Sequence, residues 1–493
     1  MNSAKTTYFY IALLIPLIYF AVFLHLDSLP FRVWDEAYLA THTYEMMHDH
    51  DYIVTHSFGA PEMSNTKPPF AIWCMLISCK VFGFNELAVR LPNAIAAVII
   101  CFIIFLFCTV ILKSSFKGFL SVLVLISSSG FIRLHVIRSG EYDALLVLFV
   151  TIYCLSYFLI LENKDPHRYK MLWALFTVSL TLAILTKGVA AILIMPALFI
   201  YTMYRMKVLE ILHTKEIYIS TSFVLLFGLG YYLLREHYNN GYIRAVFENE
   251  LGGRYLNPMI DTSPWTYLNE IVNIQFKNLL PFAFIGFFFS VSTIGTIEKR
   301  LAVYCSFIII VLLTILSIGA TRLYWYDAPI FPFLALMAGS GIYYVTFNLS
   351  KIDEQNEGRV KMLATAGLVI LFTASSYVNI IASNLSTAED PWDSDSFNLT
   401  HYIELRERAG VNLSGYKVIN DWFMYRALYC QVKKWEDKGQ KMYIVNNVLG
   451  LNINDKIIVN KCPEKIQIDQ IYQYKVIDSY KNVIVCQILG AKI

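Results

Sequence analysis

Two adjacent carboxylates, Asp35 and Glu36, stand in the run Phe31-Arg32-Val33-Trp34-Asp35-Glu36-Ala37-Tyr38, just after the first apolar stretch of the chain. Acidic groups at a helix start are favoured by the helix dipole, so capping is their plain structural reading. A carboxylate there can also take the proton of an attacking hydroxyl. Further on, Lys67 precedes Pro68-Pro69, which start or kink a helix. It can snorkel from the apolar segment or meet a lipid phosphate. Arg138, Glu141 and Asp143 follow in one short segment, with Asp143 opening a new apolar run as either a cap or a reactive acid. Lys187, in Thr186-Lys187-Gly188, lies between two apolar runs and needs a buried carboxylate (Asp143 or Glu141) or a substrate anion. Arg254 sits in a long polar segment, and Arg322 and Tyr326 in the aromatic stretch Thr321-Arg322-Leu323-Tyr324-Trp325-Tyr326.

Together these residues suit one class of reaction. Acids activate an attacking hydroxyl, and Lys and Arg neutralise a leaving phosphate as charge builds on it. No His/Cys spacing marks a zinc site, no glycine-rich loop a nucleotide, and no Ser-His-Asp order a hydrolase. The site is therefore expected to hold no metal.

The elements that must position them are membrane helices. Of 493 residues 57% are hydrophobic and 16% charged, against about 25% charged in soluble chains. A net charge of +3 does not point to nucleic acid as a partner. Apolar runs of spanning length lie near 8–26, 88–112, 118–135, 143–161, 170–186, 188–205, 216–234, 278–295, 301–319, 324–347 and 361–383, and 66–84 is a further span or an interfacial helix. About eleven to thirteen transmembrane helices are predicted. The first is read as a retained span, since no cleavage site follows it.

Lys113 and Lys117, Lys164 to Lys170, Arg205 to Lys215, Lys299 and Arg300, and Lys351 to Lys361 fall in alternate loops, which the positive-inside rule assigns to the cytoplasm. Asp35, Glu36, Lys67, Arg138, Glu141, Asp143, Lys187, Arg254 and Arg322 then share the outer side. The organisation predicted is a transmembrane domain, 1–383, with outer loops 27–87 and 235–277, and a small extracytoplasmic α/β domain, 384–493. In that tail Ser396–Ala409 reads as a helix, and Tyr416–Asn420, Lys456–Asn460, Tyr474–Ile477 and Asn482–Ile488 as strands. Of the tail cysteines, Cys430, Cys462 and Cys486, at most two can pair.

At these residues the chain resembles the bacterial GT-C membrane glycosyltransferases that include the lipid A aminoarabinose transferases and, more distantly, the protein O-mannosyltransferases. The resemblance spans roughly residues 8–345. It rests on Trp34-Asp35-Glu36-Ala37-Tyr38, Gly59 to Pro69, Gly83-Phe84-Asn85-Glu86-Leu87-Ala88-Val89-Arg90-Leu91-Pro92, Asp143-Ala144-Leu145, Thr186-Lys187-Gly188 and Tyr326-Asp327-Ala328-Pro329, in that order.

The resemblance implies transfer of a sugar from a polyprenyl-phosphate carrier to a lipid, glycan or protein of the cell envelope, at the outer face of a bacterial inner membrane. Asp35 then matches the acid that acts on the acceptor and Asp143 a second essential carboxylate. Lys67, Arg254 and Tyr326 match groups that hold the carrier phosphate, and Arg322 stands where lysine is usual. Thr66 departs from the Glu-Lys-Pro-Pro pattern of the family, which puts a divalent metal in doubt. A transporter or flippase is the competing class, but it would place charges at mid-membrane in repeated halves. A passive scaffold would leave the charged set without purpose.

Overall fold

The computed structural model describes residues 3–133, 135–162, 166–256, 262–292, 296–351, 358–386, 391–419, 424–460 and 463–492. Among them eight helices are long and apolar enough to cross a membrane. A ninth span results if Thr266–Gln275 and Leu280–Ser292, bent by 103° to one another, are counted together. Phe70–Phe82 and Ser115–Ile126 are shorter apolar helices. The sequence count of about eleven to thirteen includes such segments, because apolar runs do not show where a helix stops. The run 118–135 breaks after Ile126 at Ser127 and Ser128, and the run 188–205 opens with a 3-10 turn, Gly188–Ile192, before a short helix Met195–Tyr204.

Helix starts follow local chemistry. The Asn85 side chain accepts the Ala88 N–H at 2.9 Å to open Glu86–Val110, Ser114 accepts from Lys117 before Ser115–Ile126, and Thr296 accepts from Lys299 in Ile297–Ile318. Small residues let the helices approach. A Cβ on Gly341 would stand 1.9 Å from the Phe282 carbonyl, and one on Gly286 1.9 Å from that of Met337. Leu280–Ser292 and Phe331–Lys351 therefore cross backbone to backbone.

The Asp143–Glu162 helix gives the bundle its scale. Its 20 residues carry charge only at the two ends, and such a helix is roughly 30 Å long, the thickness of a hydrocarbon core. At the Glu162 end lie ion pairs with Arg205 (3.2 Å) and Arg300 (2.7 Å), and Lys117 meets Glu298 at 2.5 Å. At the Asp143 end lie the candidate site residues.

After the helix Gly358–Leu385 comes a small α/β unit: helices Ser394–Arg408, Tyr425–Glu436 and Pro463–Ile471, and a five-stranded sheet. The strand order is Tyr443–Val445, Lys417–Ile419, Lys456–Asn460, Val483–Ala491, Tyr472–Tyr480, with the first three parallel and the last two antiparallel to their neighbours. The strand Tyr443–Val445 and two of the helices escape the sequence pattern. Cys430 and Cys486 are free and buried, and Cys462 lies outside the described residues. The unit packs on the Asp35–Asp49 helix. Lys434 bonds Glu86 at 2.7 Å, Arg32 bonds Asp393 at 2.8 Å, and Asp393 also accepts the Val33 N–H at 2.9 Å.

Candidate active site

The neighbouring acids Asp35 and Glu36 point opposite ways. Glu36 is fully buried, and its two oxygens take four donors: Arg90 Nε and Nη2 at 2.7 Å each, the Gly140 N–H at 2.8 Å and the Arg32 N–H at 3.0 Å. Burial pushes its carboxyl up, but the Arg90 guanidinium outweighs that and holds it below the usual range. Arg90 also donates to the carbonyls of Leu26, Leu29 and Pro30. The pair thus ties the chain before Asp35 to the Glu86–Val110 helix and to the 139–142 turn. Glu36, read from sequence as a reactive acid, is a positioning residue, because it has no lone pair left to offer.

Asp35, one step along the helix, is exposed into a cavity of about 740 Å³ that is also lined by Tyr38, Lys67, Glu141, Asp143, Lys187 and Tyr326. Lys187 Nζ meets both oxygens of Asp143, at 2.5 and 2.6 Å, and lies 5.0 Å from the Tyr326 ring. Both partners are buried, as a membrane-embedded charge requires. Lys67 Nζ lies 3.6 Å from Glu250 and 5.4 Å from the Tyr142 ring. Thr66 Oγ1 donates to Glu250 at 2.6 Å. Where the family motif carries a glutamate at the position of Thr66, this chain brings Glu250 beside Lys67 from a distant segment.

A second cavity, about 410 Å³, opens from the same place. Its walls are mostly aliphatic, from Leu146, Val189, Leu193, Leu312, Ile315 and Leu316, and its polar end is Lys67, Asp143, Lys187, Glu250 and Tyr326. Lys67, Asp143, Lys187 and Tyr326 line both cavities. They stand at the junction between an apolar groove and a polar chamber.

Other expected residues go elsewhere. Arg322 donates to the carbonyls of Ser317 and Thr262, and Arg138 to those of Val22, Leu24 and His25, and neither lines these two cavities. Arg254 lies outside the described side chains.

Sequence reasoning passed over His135, whose Nδ1 is 2.9 and 3.0 Å from the two Glu141 oxygens and whose ring stacks on Trp325. Burial pulls this imidazole down, but Glu141 outweighs burial and raises it to about 8. Asp35, His135 and Glu141 each bring one ligand atom to within 4.8 Å of the others. One imidazole and two carboxylates are a donor set that fits a divalent cation such as zinc or manganese. Spacing along the chain does not reveal this set, because its ligands come from two loops about a hundred residues apart. The C-terminal unit also reaches the chamber, through Tyr425, Arg426, Asn446 and Glu464. Arg426 bonds Glu62 at 3.1 Å and lies 4.4 Å over the Tyr38 ring.

Residues 66–231 match the family described as dolichyl-phosphate-mannose-protein mannosyltransferase. An uncharacterised protein of Aquifex aeolicus is 26% identical over 348 residues, 69% of this chain and 63% of its own length. The undecaprenyl phosphate-alpha-4-amino-4-deoxy-L-arabinose arabinosyl transferase of Aeromonas hydrophila is 27% identical over 210 residues, 42% of this chain and 37% of its own. The chain thus spans less than two thirds of the length of these curated relatives.

Among solved structures, ArnT from Cupriavidus metallidurans bound to undecaprenyl phosphate is similar with a TM-score of 0.72 at 13% identity, over 99% of this chain and 98% of that one. The oligosaccharyltransferase AglB of Archaeoglobus fulgidus, in complex with an inhibitory peptide and a dolichol-phosphate, gives a TM-score of 0.54 at 10% identity, over 97% and 74%. The chain therefore has the GT-C fold shared by these membrane glycosyltransferases.

Proposed function

We propose that this protein transfers a sugar from a polyprenyl-phosphate carrier to a hydroxyl or phosphate of a cell-envelope acceptor, with inversion, at the outer face of a bacterial inner membrane. One observation carries the reading: an apolar groove and a polar chamber meet at Lys67, Lys187, Asp143 and Tyr326. A polyprenyl chain suits the groove, its phosphate the two lysines, and its sugar the chamber. The relatives whose printed names include undecaprenyl phosphate or dolichol-phosphate support the same donor class.

In this mechanism Asp35 accepts the proton of the acceptor hydroxyl. The acceptor oxygen forms a bond to the anomeric carbon as the bond from that carbon to the phosphate oxygen breaks. The electron pair leaves on the phosphate, whose charge rises from about −1 toward −2. Lys67 and Lys187 take up that charge, each steadied by a carboxylate (Glu250 and Asp143) and an aromatic face. Asp143 fixes Lys187 in place and keeps the unloaded site near neutrality. If a divalent cation binds, His135, Glu141 and one oxygen of Asp35 would hold it, and it would supply Lewis-acid charge while the other Asp35 oxygen takes the proton.

The test is Asp35→Asn in full-length protein with a polyprenyl-phosphate sugar donor. Losing a general base should slow transfer about 10²–10⁴-fold with unchanged donor binding. Turnover near the wild-type rate would overturn the assignment.

A further inference from the structure

A third cavity, about 570 Å³, lies at the same end of the bundle, behind the loops that carry Asp35 and Glu141, and shares no lining residue with the other two. Five cations line it, Arg32, Arg90, Arg133, Arg138 and Lys277, and no carboxylate does among the described residues. Three are balanced from behind: Arg90 by Glu36, Arg32 by Asp393 at 2.8 Å and Arg133 by Glu270 at 3.2 Å. Arg138 has only backbone carbonyls as partners, and neither it nor Lys277 meets a carboxylate among the described residues. Burial, with Arg90 and Arg32 adding to it, pulls Arg138 down to about 10.

Two further polar groups stand unused there. Among the described residues, Ser127 is 3% exposed and its Oγ has no partner, and Gln275 is 2% exposed with Oε1 unpartnered while its Nε2 serves the Tyr324 carbonyl. Buried polar atoms of this kind are costly unless a ligand or water satisfies them. A hydroxyl can donate to a phosphate oxygen, and an amide oxygen can accept from a hydroxyl or ammonium of the attached group.

The remaining wall fixes the depth. Ser376, Asn379 and Ser383 come from the last turns of Leu363–Leu385, a candidate span whose Ile370, Leu371 and Val378 are exposed. Polar residues recurring along one side near the end of such a helix face the layer where lipid phosphates lie, not the acyl chains.

We propose that this cavity is a second phosphate site, separate from the donor junction, which holds the head group of an anionic membrane lipid through Arg138, Lys277 and Arg133. Guanidinium forks suit phosphate oxygens, and the cavity holds more cationic charge than its own carboxylates balance.

The test uses the full-length chain in nanodiscs of phosphatidylcholine with or without phosphatidylglycerol, and native mass spectrometry counts the lipids that stay bound. Wild type should retain phosphatidylglycerol in preference to phosphatidylcholine. Arg138→Gln with Lys277→Gln should weaken that retention about tenfold or more, and it should do so equally in a Lys67→Ala background, where the donor junction has lost its lysine. Arg138 also ties down the chain at Val22–His25, so Lys277→Glu alone is the second variant. Its side chain is exposed, so it should fold normally and still lose retention.

Millimolar inorganic phosphate separates two sources of the same chemistry. No displacement of phosphatidylglycerol supports a lipid-specific site, and full displacement would show a free-phosphate site and overturn the lipid assignment. Equal retention of both lipids by wild type, or undiminished retention in both variants, would overturn the proposal and leave the donor reading untouched.

Discussion

Asp35 and Glu36 are adjacent, yet the first lines the chamber and the second is buried against Arg90, and Glu36→Gln isolates the role proposed for the buried one. The wild-type carboxylate accepts from four N–H donors, two of them on buried Arg90. An amide keeps one acceptor oxygen and turns an NH₂ toward donors, which leaves Arg90 charged, buried and unpaired. Breaking a buried ion pair from one side costs about 3–5 kcal/mol. For a cooperatively unfolding chain of this length the unfolding entropy corresponds to roughly 1 kcal/mol per degree. The expected fall in melting temperature is therefore about 3–5 °C, measured by intrinsic fluorescence in one detergent–lipid mixture. Arg90→Met should fall further, because the carbonyls of Leu26, Leu29 and Pro30 also lose their donor. Asp35→Asn should melt within a degree of wild type and lose transfer. Glu36→Gln with an unchanged melting temperature and no transfer would reverse the two roles and refute the reasoning.

Other expectations follow from the same contacts. Glu36 has a lowered pKa, so its contribution to stability is fully present above the ordinary value of 4.5 and is lost as pH falls through its lower folded value; Arg90→Met should remove that acid limb from a melting-temperature profile. His135 has a raised pKa, so its contribution is fully present below 6.5 and is lost as pH rises through about 8. His135→Gln should flatten the profile between those values, and an unchanged slope would show that the pair does not govern it. Chelator treatment should leave transfer within about twofold, because the proposed mechanism places the leaving charge on Lys67 and Lys187; a loss beyond about tenfold that zinc or manganese restores would assign a cation to Asp35, His135 and Glu141. Gly341→Leu drives a side chain into the Phe282 carbonyl, so the folded yield should collapse, and normal expression would contradict the helix crossing.

The sequence made the membrane bundle legible because burial in lipid demands long apolar runs, and the small sheet domain because its strands carry β-branched patterns. Lys456–Asn460 agrees residue for residue with its predicted strand, and Ser394–Arg408 nearly so with its predicted helix. Short elements such as Tyr443–Val445 lack enough residues for a period to emerge. At the site, charge at the ends of apolar runs marked Asp35, Lys67, Asp143 and Lys187, all of which line one chamber. Direction was not legible: only packing turns Glu36 to Arg90 and Arg138 to a separate cavity. Glu250 and Arg426 were invisible as site residues because their partners Lys67 and Glu62 are distant in the chain, and His135 because its six-residue separation from Glu141 is no recognised ligand spacing and Asp35 is distant.

The central claim is that the junction of groove and chamber binds a lipid phosphate. The direct measurement is a titration of purified wild-type and Lys67→Ala protein with a polyprenyl phosphate and with the corresponding polyprenol, followed by tryptophan fluorescence. Wild type should bind the phosphate about tenfold or more tightly than the alcohol, and Lys67→Ala should erase most of that difference while still binding the alcohol. Equal affinity of wild type for both lipids, or a difference that survives Lys67→Ala intact, would contradict the account.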